Sequence, residues 1–414
     1  MSDASDMVHS LLAPSDAERW SRCWGAPHMS RGLPDVDAEY NASGSCSHWI
    51  LEHSLSNGLS PDIWLGKELS FGHKYDGSPF KFVVDEDRVD RIQQVIDTVR
   101  KEPGRMWVEK RLNTSPILGV PDQQGHADII KLDELGAVEI DGVRHQGVLT
   151  VHDFKDGYLM VMAKNNLQGL NYLAAALYEF DLIAPINALR FVIHQPKISH
   201  YDEWTYSRIE IEHFATLIRP VAKMVYDIYH GNIEFDPVKH LNAGDEQCFW
   251  CPVRGRCPAR AKRIIDAFAP LIDQHEITDE TLGNLYARLD EVEQAVKDYR
   301  EEAKRRAIAG RAVVGFKLIQ GNQGKRRYTD VAKVEESLKA GLPAETMQKL
   351  YEPSVLMSPT QVDKRITDAQ YEALVKPYVT RNPGAYQLVP LAHPKPAVTV
   401  PQFEVLKESP NDLA

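Results

Sequence analysis

The chain has 414 residues, more than one ordinary hydrophobic core absorbs, so two domains or one large domain with an appended region are expected. Its net charge of −11 argues against a general nucleic-acid coat, which needs a basic surplus to neutralise phosphates, but leaves room for an enzyme with a local basic track. No stretch approaches the roughly 18 consecutive apolar residues of a membrane span, and the start MSDASDMVHS lacks the basic-then-apolar order of a signal peptide. A cytoplasmic protein with no membrane partner is expected.

The first sixty residues predict a capped helix start at Ser15-Asp16 and a second helical stretch around Gly44 to Leu55, separated by the Gly/Pro-marked loop Gly25 to Pro34. Residues 88 to 101 place Val89, Ile92, Val95, Ile96 and Val99 at helical spacing. After Pro103-Gly104 the texture changes to short β-like runs, MWVEKRL, HADIIKL and VLTVHDFK, each bounded by turn residues. Asn165 to Phe180 returns to helical spacing, and ALRFVIHQP is a strand ended by proline. An amphipathic helix from Ile209 to Tyr229 leads into a cysteine cluster, beyond which Thr278 to Ala309 predicts a long charged helix. Residues 311 to 328 predict a hairpin whose basic turn, Lys325, Arg326 and Arg327, offers contacts to phosphate, and the tail from Pro390 is proline-rich. The order of elements predicts a mixed α/β core.

In Val148 to Lys155 the period of two places Leu149, Val151, Asp153 and Lys155 on one face of a strand. A carboxylate beside an ammonium suits a hard cation and an attacking water at a phosphate, although a D-x-K triplet alone equally describes a salt-bridged surface strand. Asp128, in Gly125-His126-Ala127-Asp128, ends the preceding strand run and is a candidate second acid. His48 and Glu52 stand four apart on one helix face; imidazole suits Mn²⁺ or Fe²⁺, and the plainer alternative is a capping or core histidine. Gln168 and Tyr172 share a face of the helix after the D-F-K strand, where they either reach a nucleotide or hold the lysine strand in place. Glu109 is either an extra acid or a surface charge, and it stays outside the catalytic set.

These motifs, in this order, resemble the RecB-like branch of the PD-(D/E)XK nucleases. The family pattern G-x-x-x-H, G-x-x-D, D-x-K and Q-x-x-x-Y is met at Gly44 to His48, Gly125 to Asp128, Asp153 to Lys155 and Gln168 to Tyr172, over roughly residues 15 to 260. The resemblance implies a restriction-endonuclease-like α/β core, a central mixed sheet flanked by helices, with a mainly helical C-terminal extension. It implies that Mg²⁺ or Mn²⁺ is held by His48, Asp128, Asp153 and the backbone carbonyl of Phe154. Asp128, Asp153 and Lys155 are then the catalytic residues, and Gln168 and Tyr172 support DNA engagement. Similarity extends to a group of phage and prophage proteins whose C-terminal extension looks like GFKLIQGNQGKRRYTD and LMSPTQVDK.

Cys248, Cys251 and Cys257 form C-x2-C-x5-C, and five cysteines in all argue against a disulfide framework. Three thiolates leave a tetrahedral site one ligand short, with Cys23 and Cys46 as candidates for the fourth. Iron–sulfur members of the RecB-like family, and the similar CRISPR-associated adaptation nucleases, carry one cysteine before the histidine motif and three after the Q-x-x-x-Y helix. The resemblance therefore implies a 4Fe–4S cluster on Cys23, Cys248, Cys251 and Cys257, with structural zinc on the same thiolates as the alternative. Cys46 then reads as a packing residue.

The implied function is a metal-dependent DNA exonuclease in phage DNA recombination, replication or end processing, partnered by DNA and by a phage single-strand annealing or single-strand-binding protein. The alternative is a nuclease-like DNA-binding or scaffold subunit of a phage recombination or packaging assembly. A third reading, a zinc-ribbon DNA reader with the acids as surface charge, leaves the ordered motifs unexplained. The expected organisation is a nuclease domain over 1–262, a helical and hairpin extension over 263–390, and a flexible tail over 391–414.

Overall fold

The computed structural model describes residues 10–33, 38–74, 77–269, 277–321, 326–352, 355–381, 384–390 and 393–398. Contacts divide the chain into two compact units, residues 1–291 and 292–414. The first begins with α1 (Ala17–Arg22), α2 (Ala26–Ser30) and α3 (Glu39–Asn57), followed by a small antiparallel pair, β1 (Glu68–Phe71) and β2 (Phe80–Val83). Next comes α4 (Glu86–Lys101), started by Asp85, whose side chain accepts from the Arg88 N–H at 2.8 Å.

The central sheet is built from β3 (Arg105–Asn113), then, after the short α5 (Ser115–Leu118), β4 (Gln124–Ile140) and β5 (Val143–Phe154). Asp141 and Gly142 both take positive φ, 49° and 79°, which gives the two-residue turn whose twist matches the β4–β5 hairpin. Helix α6 (Leu167–Phe180) crosses to β6 (Ala188–Gln195), which runs parallel to β5, and β7 (His200–Ser207) returns antiparallel at the edge. The spatial order β3-β4-β5-β6-β7 makes one five-stranded mixed sheet, as the alternating runs of the sequence predict.

Helices cover both faces of this sheet, because the strands carry apolar residues on both. Leu149, Val151, Phe191 and Ile193 pack with Leu173 and Leu177 of α6 and with α7 (Arg208–His230), which is started by a Ser207/Glu210 capping box. On the opposite face Ile129 and Phe154 meet Ile50 of α3 and the predicted apolar stripe of α4. Cys46 lies wholly buried in this second core. The unit closes with α8 (Pro237–His240), α9 (Asp245–Phe249), α10 (Pro258–Phe268) and α11 (Asp279–Tyr286).

Two expectations about the C-terminal third are corrected. The helix predicted from Thr278 to Ala309 is two helices: Thr278 caps α11, the chain turns at Ala287-Arg288, and α12 (Leu289–Ile308) follows. The Arg288 guanidinium fixes that turn by donating to the Arg263 carbonyl at 2.9 Å. Nor do residues 311 to 328 pair as a hairpin. In the second unit β8 (Phe316–Gln320) pairs with a distant strand, Tyr386–Pro390, and Arg327–Tyr328 pairs with Val379–Thr380. Local alternation signals a strand but carries no information about its partner. Arg326 is committed to its own unit, donating to the Asp363 carboxylate at 2.7 Å and the Tyr371 hydroxyl at 2.8 Å, while Lys325 lies outside the described residues. Of the proline-rich tail, most lies outside the described residues; the Val398 N–H donates to the Leu318 carbonyl at 2.8 Å. Among the described residues no helix is long and apolar enough to cross a membrane.

The seating of α6 on the sheet depends on Gly169. A Cβ there would lie 2.4 Å from the Phe191 ring, deep in the first core. Gly169→Ala is expected to cost about 1–3 kcal/mol through overpacking, read as a fall of several degrees in the thermal midpoint. An unchanged midpoint would show that this contact is not tight in solution.

Candidate metal centre

The register of the sheet puts three carboxylates at one level on three neighbouring strands. Glu109 of β3 faces Asp128 of β4, between the paired positions Val108↔Ile129 and Lys110↔Ala127. Asp128 in turn falls opposite Asp153 of β5, one step beyond the pair Ile129↔His152. The regular ladder opens at this level: Glu109 adopts φ 46°, a left-handed conformation that costs a non-glycine residue energy, and the Phe154 N–H donates to Asp128 Oδ2 at 2.7 Å.

Helix α3 brings His48 against these acids. Its Nδ1 lies 3.3 Å from Asp128 Oδ1, and its ring tilts against Phe154 at a centroid distance of 5.2 Å. Ligand atoms of His48, Glu109 and Asp128 all lie within 4.8 Å of one another, the geometry of a shared cation. Glu109, left aside in the sequence reading, thus joins His48 and Asp128. A glutamate in M-W-V-E-K-R-L looks like an ordinary strand charge; only the register with Asp128 reveals it. Glu52, which shares a helix face with His48, does not enter this group of three.

Asp153, almost wholly buried, anchors the other half of the site. Its Oδ1 accepts from Gln168 Nε2 at 3.0 Å, and Lys155 Nζ donates to Gln168 Oε1 at 3.0 Å. Asp153 Oδ2 lies 2.9 Å from Lys155 Nζ, which donates to it in a charge-assisted hydrogen bond. Gln168 therefore bridges the acid and the lysine, a contact that holds the lysine strand in place. Tyr172 is buried beneath it and hydrogen-bonds Gln168. Gly125 makes room for that ring: a Cβ at residue 125 would lie 2.8 Å from Tyr172.

Electrostatics follow from this packing. Burial alone would lower the His48 pKa, but Asp128 outweighs it and holds the imidazole up at about 9. Burial and then the facing Asp128 push Glu109 up to about 8. Burial also raises Asp153 despite Lys155. For Lys155 burial is outweighed by Asp153 and Asp128, so its ammonium keeps its proton. Asp128 is lowered because His48 and the Phe154 N–H overcome the effect of burial.

Asp156, the residue after Lys155, was missed by the sequence reading. Its side chain is fully buried, accepting from Arg91 Nε at 3.0 Å and from Ser47 Oγ at 2.7 Å. Because Ser47 adjoins His48, Asp156 ties the histidine helix to the lysine strand. The available signal was the presence of Arg88 and Arg91 among the apolar positions of α4, where a buried guanidinium demands a buried acid.

The three cysteines singled out by spacing and Cys23, which the resemblance adds to them, also come together. Cys23 packs with Cys257 beside Leu241, and it lies in electrostatic reach of Cys248 and Cys257, as Cys251 does of Cys23 and Cys248. The Asn242 N–H donates to Cys23 Sγ at 3.3 Å and the Gly244 N–H to Cys248 Sγ at 3.4 Å. Burial raises the Cys23 and Cys248 thiols and takes Cys251 to about 11. No three of these sulfurs lie within 4.8 Å of one another, unlike the ligand atoms at His48.

Fold and site together define a mixed α/β protein with an acid–histidine–lysine centre at one level of its main sheet and a separate cysteine cluster. The chain belongs to the family described as "Protein of unknown function (DUF2800)", whose model matches residues 9–396. Among solved structures, a "Putative exonuclease" from Eubacterium rectale is similar at 11% identity and a TM-score of 0.27, over 59% of this chain and 95% of that one. The protein SSO0001 is similar at 11% identity and a TM-score of 0.20, over 42% of this chain and 76% of that one. Likeness at that level is no guide to chemistry.

Removing one partner of a buried ion pair strands the other, so Asp156→Ala is expected to destabilise the first unit by about 3–5 kcal/mol. Thermal denaturation would show it; a loss within the scatter of surface substitutions would remove Asp156 from its positioning role.

Proposed function

We propose that this chain is a metal-dependent deoxyribonuclease of the RecB-like PD-(D/E)XK type, hydrolysing phosphodiester bonds of DNA. The carrying observation is the convergence of His48, Glu109 and Asp128 within 4.8 Å beside the Asp153–Lys155 pair. Facing carboxylates beside an imidazole, all within 4.8 Å, call for a cation, and a set of oxygen donors with one imidazole suits Mg²⁺ or Mn²⁺. His48, Glu109 and Asp128 would hold it, with Asp153 and the Phe154 carbonyl as the further ligands that the motif resemblance implies. When bound, the ion supplies positive charge at the scissile phosphate and makes a neighbouring water more acidic.

The remaining roles belong to the chain itself. Lys155 keeps its proton, so it acts as a fixed positive donor to phosphate or water and not as the base. Gln168 fixes the direction of that ammonium from one side and Asp153 from the other. Asp156 fixes the distance between the lysine strand and the histidine helix.

The preference for ends, hence an exonuclease in phage DNA recombination, replication or end processing, follows from the motif resemblance. So does a partnership with a phage single-strand annealing or single-strand-binding protein. The complete set of His48, Asp128, Asp153 and Lys155, with His48 against Asp128 and Lys155 against Asp153, favours chemistry over a scaffold that has lost it. For the cysteines we propose a 4Fe–4S cluster on Cys23, Cys248, Cys251 and Cys257, which the motif resemblance implies and which their gathering at one place supports.

Digestion of linear DNA should require Mg²⁺ or Mn²⁺, stop on chelation, and fall by about a hundredfold or more in Asp153→Ala and Lys155→Ala. Variants that cleave like the wild type would overturn the assignment. In the metal-free site His48 and Glu109 carry protons at neutral pH, and those protons must leave when an ion enters. Mn²⁺ affinity should therefore rise between about pH 6 and pH 9, with proton release visible by calorimetry in buffers of different ionisation enthalpy. A pH-independent affinity would contradict the ligand set. Protein purified without oxygen should be brown and contain iron and acid-labile sulfide; a colourless protein with one zinc per chain would end the cluster proposal.

A further inference from the structure

The segment between the lysine strand and the glutamine helix exposes an apolar run where a polar loop would be expected. Tyr158, Leu159, Met160 and Met162 are 76%, 57%, 60% and 53% exposed. Both flanks are residues of the centre: Lys155 and Asp156 precede the run, and Gln168 follows it. Such a run in water is unfavourable, and contiguous exposed apolar surface marks a binding site more often than an accident.

The segment is also held firmly. Gln195, 1% exposed, donates from Nε2 to the carbonyls of Gly157 at 3.0 Å and Leu159 at 2.7 Å, and its Oε1 accepts from the Val161 N–H at 3.2 Å. Asp202 accepts from the Ala163 N–H at 2.7 Å, and the Tyr206 hydroxyl from the Asn165 N–H at 2.6 Å. Val161 and Ala163 turn into the first core. The backbone is thus fixed by buried and half-buried polar side chains while the apolar side chains between the anchors face outward. Two lysines border them: Lys197 over the Tyr158 ring at 4.7 Å and Lys164 over the Trp204 ring at 3.8 Å.

Flat or flexible apolar side chains rimmed by cations match the surface of an unpaired nucleic-acid strand, whose bases offer faces to stack on and whose phosphates need positive charge. In an intact duplex those faces are hidden. We propose that Tyr158, Leu159 and Met160 form a rigid finger that holds the unstacked bases of a DNA strand end next to the metal centre. The inference deepens the nuclease reading and rests on it for the identity of the ligand.

The test uses the full chain in Ca²⁺, with fluorescence anisotropy on a labelled oligothymidylate of about 12 nucleotides and on the same backbone without bases. Wild-type protein should bind the base-bearing strand about tenfold more tightly or better, and a Tyr158→Ser/Leu159→Ser/Met160→Ser variant should bind both strands alike. The inference is overturned if the wild type shows no preference or no binding, or if the variant keeps the preference. It is equally overturned if the variant only converts a dimer to a monomer in sedimentation with the preference intact, which would make this a self-association surface. Hydrolysis of linear DNA in Mn²⁺ is followed in parallel. Base preference without hydrolysis would leave the finger standing and end the nuclease reading, whereas hydrolysis without base preference would end the finger alone.

Discussion

Carboxylates that face each other across a β-ladder repel, and partial burial of Glu109 and Asp128 removes most of the water that would screen them. The arrangement persists because Glu109 takes up a proton and positive charge lies nearby. In the protein itself that charge comes from His48, kept protonated by Asp128, and from Lys155, kept protonated by Asp153 and Asp128. Much around this point serves to hold those charges: Gln168 bridges acid and lysine, Tyr172 sits against Gln168, and Asp156 pins α3 and α4 to the end of β5. The left-handed backbone at Glu109 is the local strain that lets its carboxylate join the group.

Much of the fold was legible because periodicity reports burial. The apolar stripe of α4, the alternation of β5 and the helical spacing of α6 each predict an element that the structure contains. What local pattern cannot report is pairing. Residues 316–320 and 327–328 read as two arms of one hairpin, yet each pairs with a strand more than fifty residues away. The break at Ala287-Arg288 was equally hidden, since no proline or glycine marks it and the contact that fixes it is made by a side chain to a distant carbonyl.

The candidate site was legible where spacing within one element carries the meaning, as at His48, Asp153, Lys155 and Gln168. It was illegible where meaning depends on register between elements. Glu109 is unremarkable within its own strand and becomes a ligand candidate only because Asp128 lies opposite; Asp156 resembles a turn residue until Arg91 and Ser47 are seen around it. The cysteines show the same division. Three were recognisable by spacing, and Cys23 reaches them because the loop from Leu241 to Gly244 packs against the end of α1, with Asn242 donating to its sulfur.

The proposed chemistry requires a cation lying among Glu109, Asp128 and His48. Anomalous diffraction from crystals soaked in Mn²⁺ tests this directly. A single strong manganese peak is expected in contact with Asp128 and with His48 or Glu109, and it should vanish in Asp128→Ala. A structure with Mn²⁺ bound elsewhere and none at Asp128, or with the site filled only by water at saturating Mn²⁺, would contradict the account.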